Sequence, residues 1–541
     1  MVGTLAQSHL TGLISPKLKE VAIMAKSKRQ HIQKVKGRRF TDEIRNLNLE
    51  KVLVIPIECG KNSHKALVAN YFGDILYDSF EFANSNTGVK MLDSIIQDIS
   101  SSVNAQKIVV GIESTGHYYE NLYRNLITLS YDVAIVNPSS VYSQRTGQLN
   151  WCKTDEIDLC AIGQVLIDNQ ATETKLSDGL YYNLKHLARL RRDEVNKRAR
   201  LKIQIKVLCD HIFPGLQKAE VFSDFWGKAS VLLLENYPTP ASIISLGVNR
   251  LARFFKKHNT KLGLTTAQRL VNLAKNSLTT DASNIYAHLF NLKFKIQDLK
   301  MADEKIRKLN IELASCLIKT PGLLLLSIRK INVASAAEFI AEVGPLSQAG
   351  NAKKIISRAG LNPSRFQTAE YERTDNPITK HGSNHLRNIS LTIAHNLVGD
   401  DPHLVNQPAN PYFRNFFDHL VIEEGKDKRV AKVACANKFI RVACAMMIQK
   451  MLFCPPTWKQ DLVADDPLIK LSKFLQDNDA KDMFDDIVHI AKEQLPDDYG
   501  SYVKQKESDI DSLVSSLTND TERDPDNFLG PMPLEFVEVK G

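Results

Sequence analysis

The sequence predicts three architectures in series: an α/β domain, an α-helical antiparallel coiled coil acting as a linker, and a mostly α-helical C-terminal domain. Three observations carry this reading. Between Lys51 and Ile167, three strand-like apolar runs are followed by alternating helix and strand patterns. In 181–213 and again in 292–317, Leu and Ile recur at spacings of three to four residues. From 320 to 455 the apolar positions keep a helical period, interrupted by one Gly/Pro-punctuated stretch.

The elements follow in order. Residues 1–45 form a basic arm, with Lys26, Lys28, Arg29, Lys34, Lys36, Arg38 and Arg39 set among residues without apolar periodicity; such a segment orders only against a polyanion. Met24, opening MAKSKRQ, is an alternative start to Met1. In 46–175, KVLVIPIE and KALVANYF read as strands, and DILYDSFEF as a third strand joined through a Gly-Asp turn. A helix over Lys90–Ile99, strand KIVVGIE, a helix over Tyr118–Ile127, strand DVAIVNP and a helix over Asp155–Ile167 complete the unit. Three hairpin strands, then alternating helices and strands, is the order of a ribonuclease-H-like sheet.

Residues 176–318 hold the coiled coil. Leu184, Leu187, Leu190, Val195, Leu201, Ile205, Leu208 and Ile212 make one stripe, and Leu292, Ile296, Leu299, Ile306, Leu309, Leu313 and Leu317 its antiparallel partner. A small helical insertion at 220–288 carries the turn YPTPASI. In 319–455, helices are predicted over Val333–Val343, Asn384–Val398 and Val430–Phe453. The remainder, 456–541, reads as an acidic appendage, disordered beyond about Gln505.

Charge points to a polyanionic partner. The net +9 of the 541 residues hides an asymmetry: residues 455–541 carry 9 Lys and Arg against 20 Asp and Glu, so the rest of the chain stands at +20. Clustered Lys and Arg are what phosphate contacts require. On the first coiled-coil helix, Lys185, Arg189, Arg191, Arg192, Lys197, Arg198, Arg200, Lys202 and Lys206 cover the positions between the Leu and Ile residues. Of these, Arg189, Arg191, Arg192, Lys197, Arg198, Arg200 and Lys202, together with Lys380 and Arg387 further on, are the candidate nucleic-acid contacts; the alternative is a solvated face. Eight scattered cysteines without a CxxC pair argue against a zinc ribbon or a disulfide framework, and no apolar run is long enough to span a bilayer. The expected setting is the reducing bacterial cytoplasm, at the nucleoid when bound to DNA.

Four carboxylates punctuate the first domain. Glu58 and Glu113 close strand-like runs, and Asp155 and Asp158 stand at i, i+3 on one helical face. Acids so placed converge at one edge of a sheet and can hold two divalent metals for phosphodiester chemistry. Asp155 and Asp158 also suit the first turn of a helix simply as partners of its dipole. His64 and His117 are read as packing or hydrogen-bonding groups.

Five stretches, in order, carry a resemblance: IPIECGKNSHKALV, VVGIESTGHYYENL, VNPSSV with KTDEIDLCAIG, YPTPASI, and AGLNPSRFQTAEYE with ITKHGSNHLRNI. Over about residues 50–453 the chain resembles the insertion-sequence-110 family, the DEDD transposases related to the Piv and MooV DNA invertases. The resemblance implies a RuvC-like N-terminal domain, a coiled-coil linker and a helical transposase domain carrying a nucleophilic serine. It implies a structured bridge RNA that pairs with donor and target DNA, assembly as dimers and tetramers, and Mg²⁺ (or Mn²⁺) held by the four acids. No membrane partner is implied. Carried over, the acids fall on Glu58, where the family usually has Asp, and on Glu113, Asp155 and Asp158. The nucleophile falls on Thr368, between Gln367 and Ala369, where the family has Gln-Ser-Gly. Where the family usually has a Pro-Gly-Ile turn near the start of the second domain, the chain reads Ser327-Ile328-Arg329-Lys330-Ile331, so Arg329-Lys330 removes that turn.

The departures touch chemistry. Glu58 sets its charge one methylene further out, the Thr368 β-methyl crowds attack on phosphorus, and Ala369 replaces a conformationally free glycine. Ser364 is an alternative hydroxyl that also suits turn capping. The function implied is an RNA-guided DNA transposase or recombinase. The substitutions raise a second reading, a domesticated regulator that binds RNA and DNA without efficient catalysis. A third is a metal-dependent junction nuclease.

Overall fold

The computed structural model describes residues between 44 and 500, apart from 45, 148–153, 169–175, 177–178, 218–220, 261, 279–281, 365–366, 368–375, 401–407, 409, 454–464 and 498. The basic residues expected at 26–39, Thr368 with Ala369, and the chain beyond Gln505 lie outside the described residues. The chain divides into two compact units, 1–176 and 177–541.

The first unit is a five-stranded mixed sheet of order β3-β2-β1-β4-β5. The strands are β1 (Val52–Cys59), β2 (Ser63–Asn70), β3 (Ile75–Ala83), β4 (Lys107–Glu113) and β5 (Asp132–Val136). β1 pairs antiparallel with β2, β2 antiparallel with β3, β1 parallel with β4, and β4 parallel with β5. This is the predicted ribonuclease-H-like order. The helices are α1 (Asn86–Ser102), α2 (Tyr119–Thr128), α3 (Pro138–Gly147) and α4 (Asp155–Ile167). Helix α3 was not predicted, and its weak amphipathicity explains why: Val141 is its one buried residue.

β1 has no polar face to give away. Leu53, Ile55 and Ile57 enter a core with Leu92 and Ile96 of α1, while Val52 and Val54 enter another with Ile162, Val165 and Leu166 of α4. A strand buried on both faces reads as a continuous apolar run. His64 is 2% exposed against the Phe82 ring at 5.2 Å, and burial lowers its pKa, as befits a packing residue.

In the second unit the two long helices, α5 (Gly179–Ile212) and α9 (Ala282–Leu317), run antiparallel: Arg198 meets Asp303 while Arg191, one end further, meets Asn310. Leu190 departs from the predicted stripe and is exposed; Ala188 takes the buried position instead. Between them lie α6 (Lys228–Asn236), α7 (Pro240–Lys257) and α8 (Leu264–Asn276). The YPTPASI turn starts α7: Thr239 and Ser242 form a reciprocal capping box and Pro240 takes the first helical position.

One end of the hairpin packs with this insertion through Leu201, Ile205, Leu292 and Ile296, the other with the C-terminal helices through Leu184, Leu313 and Leu317. Those helices are α10 (Val333–Val343), α11 (Leu346–Ala349), α12 (Ala352–Ala359), α13 (Asn384–Val398), α14 (Pro411–Asp418) and α15 (Lys428–Gln449). Among the described residues no single helix is long and apolar enough to cross a membrane.

The acidic tail departs from expectation. Helices α16 (Pro467–Asp477) and α17 (Met483–Glu493) bury Leu471, Leu475, Ile487 and Ala491 in the same core, so this part is built in and is no appendage. Asn478 accepts from Asn310 Nδ2 at 2.8 Å, and Lys470 Nζ donates to the carbonyls of Ile328 and Ile331 at 3.0 Å. A Pro-Gly pair stands earlier, at Pro321–Gly322, opening a 3₁₀ helix where a Cβ on Gly322 would meet Ile340 at 2.9 Å. Ser327–Ile331 is instead the turn that the tail grips.

The chain around the nucleophile position is pinned at its base. Ser364 N donates to Pro377 O at 2.8 Å and Thr379 N to Asn362 O at 2.9 Å, a short antiparallel ribbon. Gly382, at φ +118°, lies so close to the Arg358 carbonyl that a Cβ would sit 2.2 Å from it. Gly382→Ala should therefore lower the stability of this unit by about 2–3 kcal/mol, read by chemical denaturation of the full chain.

Candidate carboxylate site

The parallel register of β1 and β4 ends at Ile57 opposite Ile112, so Glu58 and Glu113 follow as neighbours on adjacent strands. They share the face of Pro56 and Gly111, which α4 covers. Gly163 leaves room there for Pro56, and the Leu166 side chain lies on Gly111 so closely that a Cβ there would meet it at 2.4 Å. Glu113 is 9% exposed and Glu58 half-buried. Their proximity registers on Cys59, whose thiol is pushed up to about 12 by burial, then by the charges of Glu113 and Glu58. That thiol is no nucleophile.

Helix α4 brings the aspartates. Thr154 caps it by accepting from Ile157 N at 3.3 Å, so Asp155 and Asp158 occupy its first turn, where the helix dipole favours negative charge. Leu159 packs on Leu67 and Ala69 of β2, holding this end of the helix over the strand that runs beside Glu58. Each aspartate is met by a cation of the chain. Lys65, the cross-strand partner of Glu58, places Nζ 2.7 Å from Asp155 Oδ2, with both groups open to solvent. Arg145 of α3 donates to Asp158 Oδ1 at 2.7 Å, and here Asp158 is buried and Arg145 largely covered, at 6% and 13% side-chain exposure.

Lys65 and Arg145 were missed by sequence reading. The signal for Lys65 was present in the GKNS hairpin turn, which sets it opposite Glu58; Arg145 lay on the helix that was not predicted.

The donor set is of the kind a hard divalent cation takes, carboxylates without sulfur or imidazole, with Glu58 and Glu113 following one another at the ends of neighbouring parallel strands. As they stand, no three acidic, His or Cys side chains among the described residues enclose an ion. Asp155 and Asp158 are instead paired with Lys65 and Arg145.

The basic candidates divide. Arg189 forks onto Glu342 at 2.7 and 3.1 Å, Arg192 onto Glu338 at 2.6–2.9 Å, and Arg191 Nε donates to Asn310 at 2.5 Å. Arg198 pairs with Asp303 at 3.2 Å, Lys202 lies over the Trp226 ring at 5.0 Å, and Arg387 donates to the carbonyls of Ala359 and Lys380 at 3.1 Å. These six are engaged within the chain. Lys197, Arg200 and Lys380 are exposed. Ser364 Oγ donates to Pro377 O at 2.9 Å, which makes it part of the ribbon. His117 stacks near Tyr118 at 4.5 Å.

Comparison with known proteins gives three matches. A transposase family model of the DEDD, IS110 type matches residues 56–214, and one described as transposase, IS116/IS110/IS902 family, matches residues 323–406. The chain is also 24% identical, over 332 residues, to the insertion element IS116 uncharacterized 44.8 kDa protein of Streptomyces clavuligerus, covering 59% of this chain and 79% of that protein.

Proposed function

The chain belongs to the IS110 family of transposases, with DNA as its partner, and from that premise we propose that it cuts and rejoins DNA under the guidance of a structured bridge RNA. What supports the proposal is the succession of Glu58 and Glu113 on neighbouring parallel strands, with Lys65, the cross-strand partner of Glu58, paired to Asp155. These residues would hold Mg²⁺ or Mn²⁺, which when bound would stabilise charge on the transferring phosphate. Glu113 and Asp158, both buried, would fix the geometry, while Asp155, exposed, stands where a phosphate can approach.

The Thr368 hydroxyl is the proposed nucleophile. Its oxygen forms a bond to phosphorus, the P–O bond to the leaving nucleotide breaks, and the hydroxyl proton ends on that leaving oxygen. A nucleotide hydroxyl then attacks the same phosphorus, the bond to the Thr368 oxygen breaks, and that oxygen takes back the proton as the strand is rejoined. Lys197, Arg200 and Lys380 supply backbone contacts to nucleic acid, which carry affinity without sequence information. Dimers or tetramers, acting on DNA in the bacterial cytoplasm, complete the reading.

The test is a strand-transfer reaction with the full chain, the element's DNA ends, RNA transcribed from its flanks and Mg²⁺. The expected product is a covalent protein–DNA adduct that survives denaturation and disappears in Thr368→Ala. No adduct from the wild type, and none restored by Thr368→Ser, sinks the proposal. That result, with retained RNA and DNA binding, would select the regulator reading, which the substitutions at Glu58 and Thr368 favour. Cleavage unimpaired in Thr368→Ala but lost in Asp155→Asn would select the junction nuclease.

A further inference from the structure

The two aspartates of α4 are neutralised in unlike ways. Arg145 and Asp158 are both withdrawn from water, so their charges cannot part without leaving one of them buried and unpaired. Lys65 and Asp155 keep 38% and 52% of their side-chain surface, and an ion pair so open to water is weak and easily exchanged. Lys65 is also anchored where a cation matters: its Cα is in register with Glu58, and its ammonium reaches across to α4. One lysine thus sits between a carboxylate donor on β1 and another on α4.

We propose that Lys65 is a displaceable internal counter-ion of this site. Before a metal arrives it keeps Asp155 facing the sheet edge and relieves the crowding of four carboxylates. A divalent cation binding through Asp155 must expel the ammonium into solvent, so Lys65 raises the metal concentration at which the site fills. Arg145, by contrast, is a permanent positioning residue: it holds Asp158 Oδ1 at 2.7 Å from a largely covered side chain. The proposal rests on the reading that the four acids hold a divalent metal, and deepens it by naming what the metal competes with.

The experiment is Mn²⁺ binding to the full chain without nucleic acid, followed by the loss of the free-ion paramagnetic resonance signal. Wild type, Lys65→Met, Asp155→Asn and Lys90→Met are compared; Lys90 is exposed on α1, against the opposite face of the sheet, and controls for the loss of one positive charge. Lys65→Met should bind Mn²⁺ roughly fivefold more tightly than wild type, because a unit charge next to the ion is gone. Lys90→Met should match wild type, and Asp155→Asn should bind weakly. Affinity unchanged or reduced in Lys65→Met, with wild-type binding intact, overturns this inference alone. Absence of Mn²⁺ binding that Asp155→Asn can reduce overturns the metal-site reading and the inference with it.

Discussion

Asp158→Asn is expected to cut DNA strand cleavage by about 10³-fold while the protein still folds and binds DNA. Three features set the size of this effect. Asp158 is 4% exposed, so no solvent-borne carboxylate can take its place. Its Oδ1 is held at 2.7 Å by Arg145, so its position is fixed before any ligand arrives. It also shares the first turn of α4 with Asp155, whose cap would be untouched by the change. Asparagine retains an oxygen for Arg145 and removes only the charge. Single-turnover cleavage, with DNA affinity measured beside it, separates the outcomes: activity within tenfold of wild type would remove Asp158 from the site.

Arg192→Met should destabilise the second unit by about 2–3 kcal/mol, toward the low end of what loss of one partner from a buried pair costs, because Arg192 keeps about a third of its side-chain surface. Glu338 is left 9% exposed with its three guanidinium contacts gone. Burial already holds its carboxyl above the ordinary range despite Arg192, and loss of the guanidinium would push it higher still. The double variant Arg192→Met, Glu338→Met should recover most of the loss, since two apolar side chains of similar volume replace a desolvated pair. Denaturant midpoints of the two single and the double variants measure the coupling; additive losses would show that the pair does not interact.

These residues also mark the boundary of what was legible. Helices Asp155–Ile167, Val333–Val343 and Asn384–Val398 begin and end where the sequence predicts, because each has a capping residue, Thr154, Asn332 or Ser383, immediately before it. The strands were readable from their apolar runs, and the order of elements gave the sheet. The carboxylates stood out because strand ends and helix starts are local features. What could not be read was pairing over distance. Arg189 and Arg192 look like phosphate contacts in isolation, and only the fold brings Glu342 and Glu338 to them across about 150 residues. The tail helices were hidden for the same reason: their acidic composition suggests solvent, but the face with Leu471 and Leu475 meets a core formed by residues far earlier.

The ribbon that closes at Ser364 and Pro377 has an evolutionary consequence. It holds Ser364 and Pro377, 13 residues apart in sequence, at hydrogen-bonding distance, and the entropy of closing a chain between fixed ends changes by only about 0.6 kcal/mol when its length doubles. Insertions or deletions between those ends therefore cost little in stability. Selection can lengthen or shorten the chain there without unmaking the scaffold, and a screen for stability would score such changes as silent.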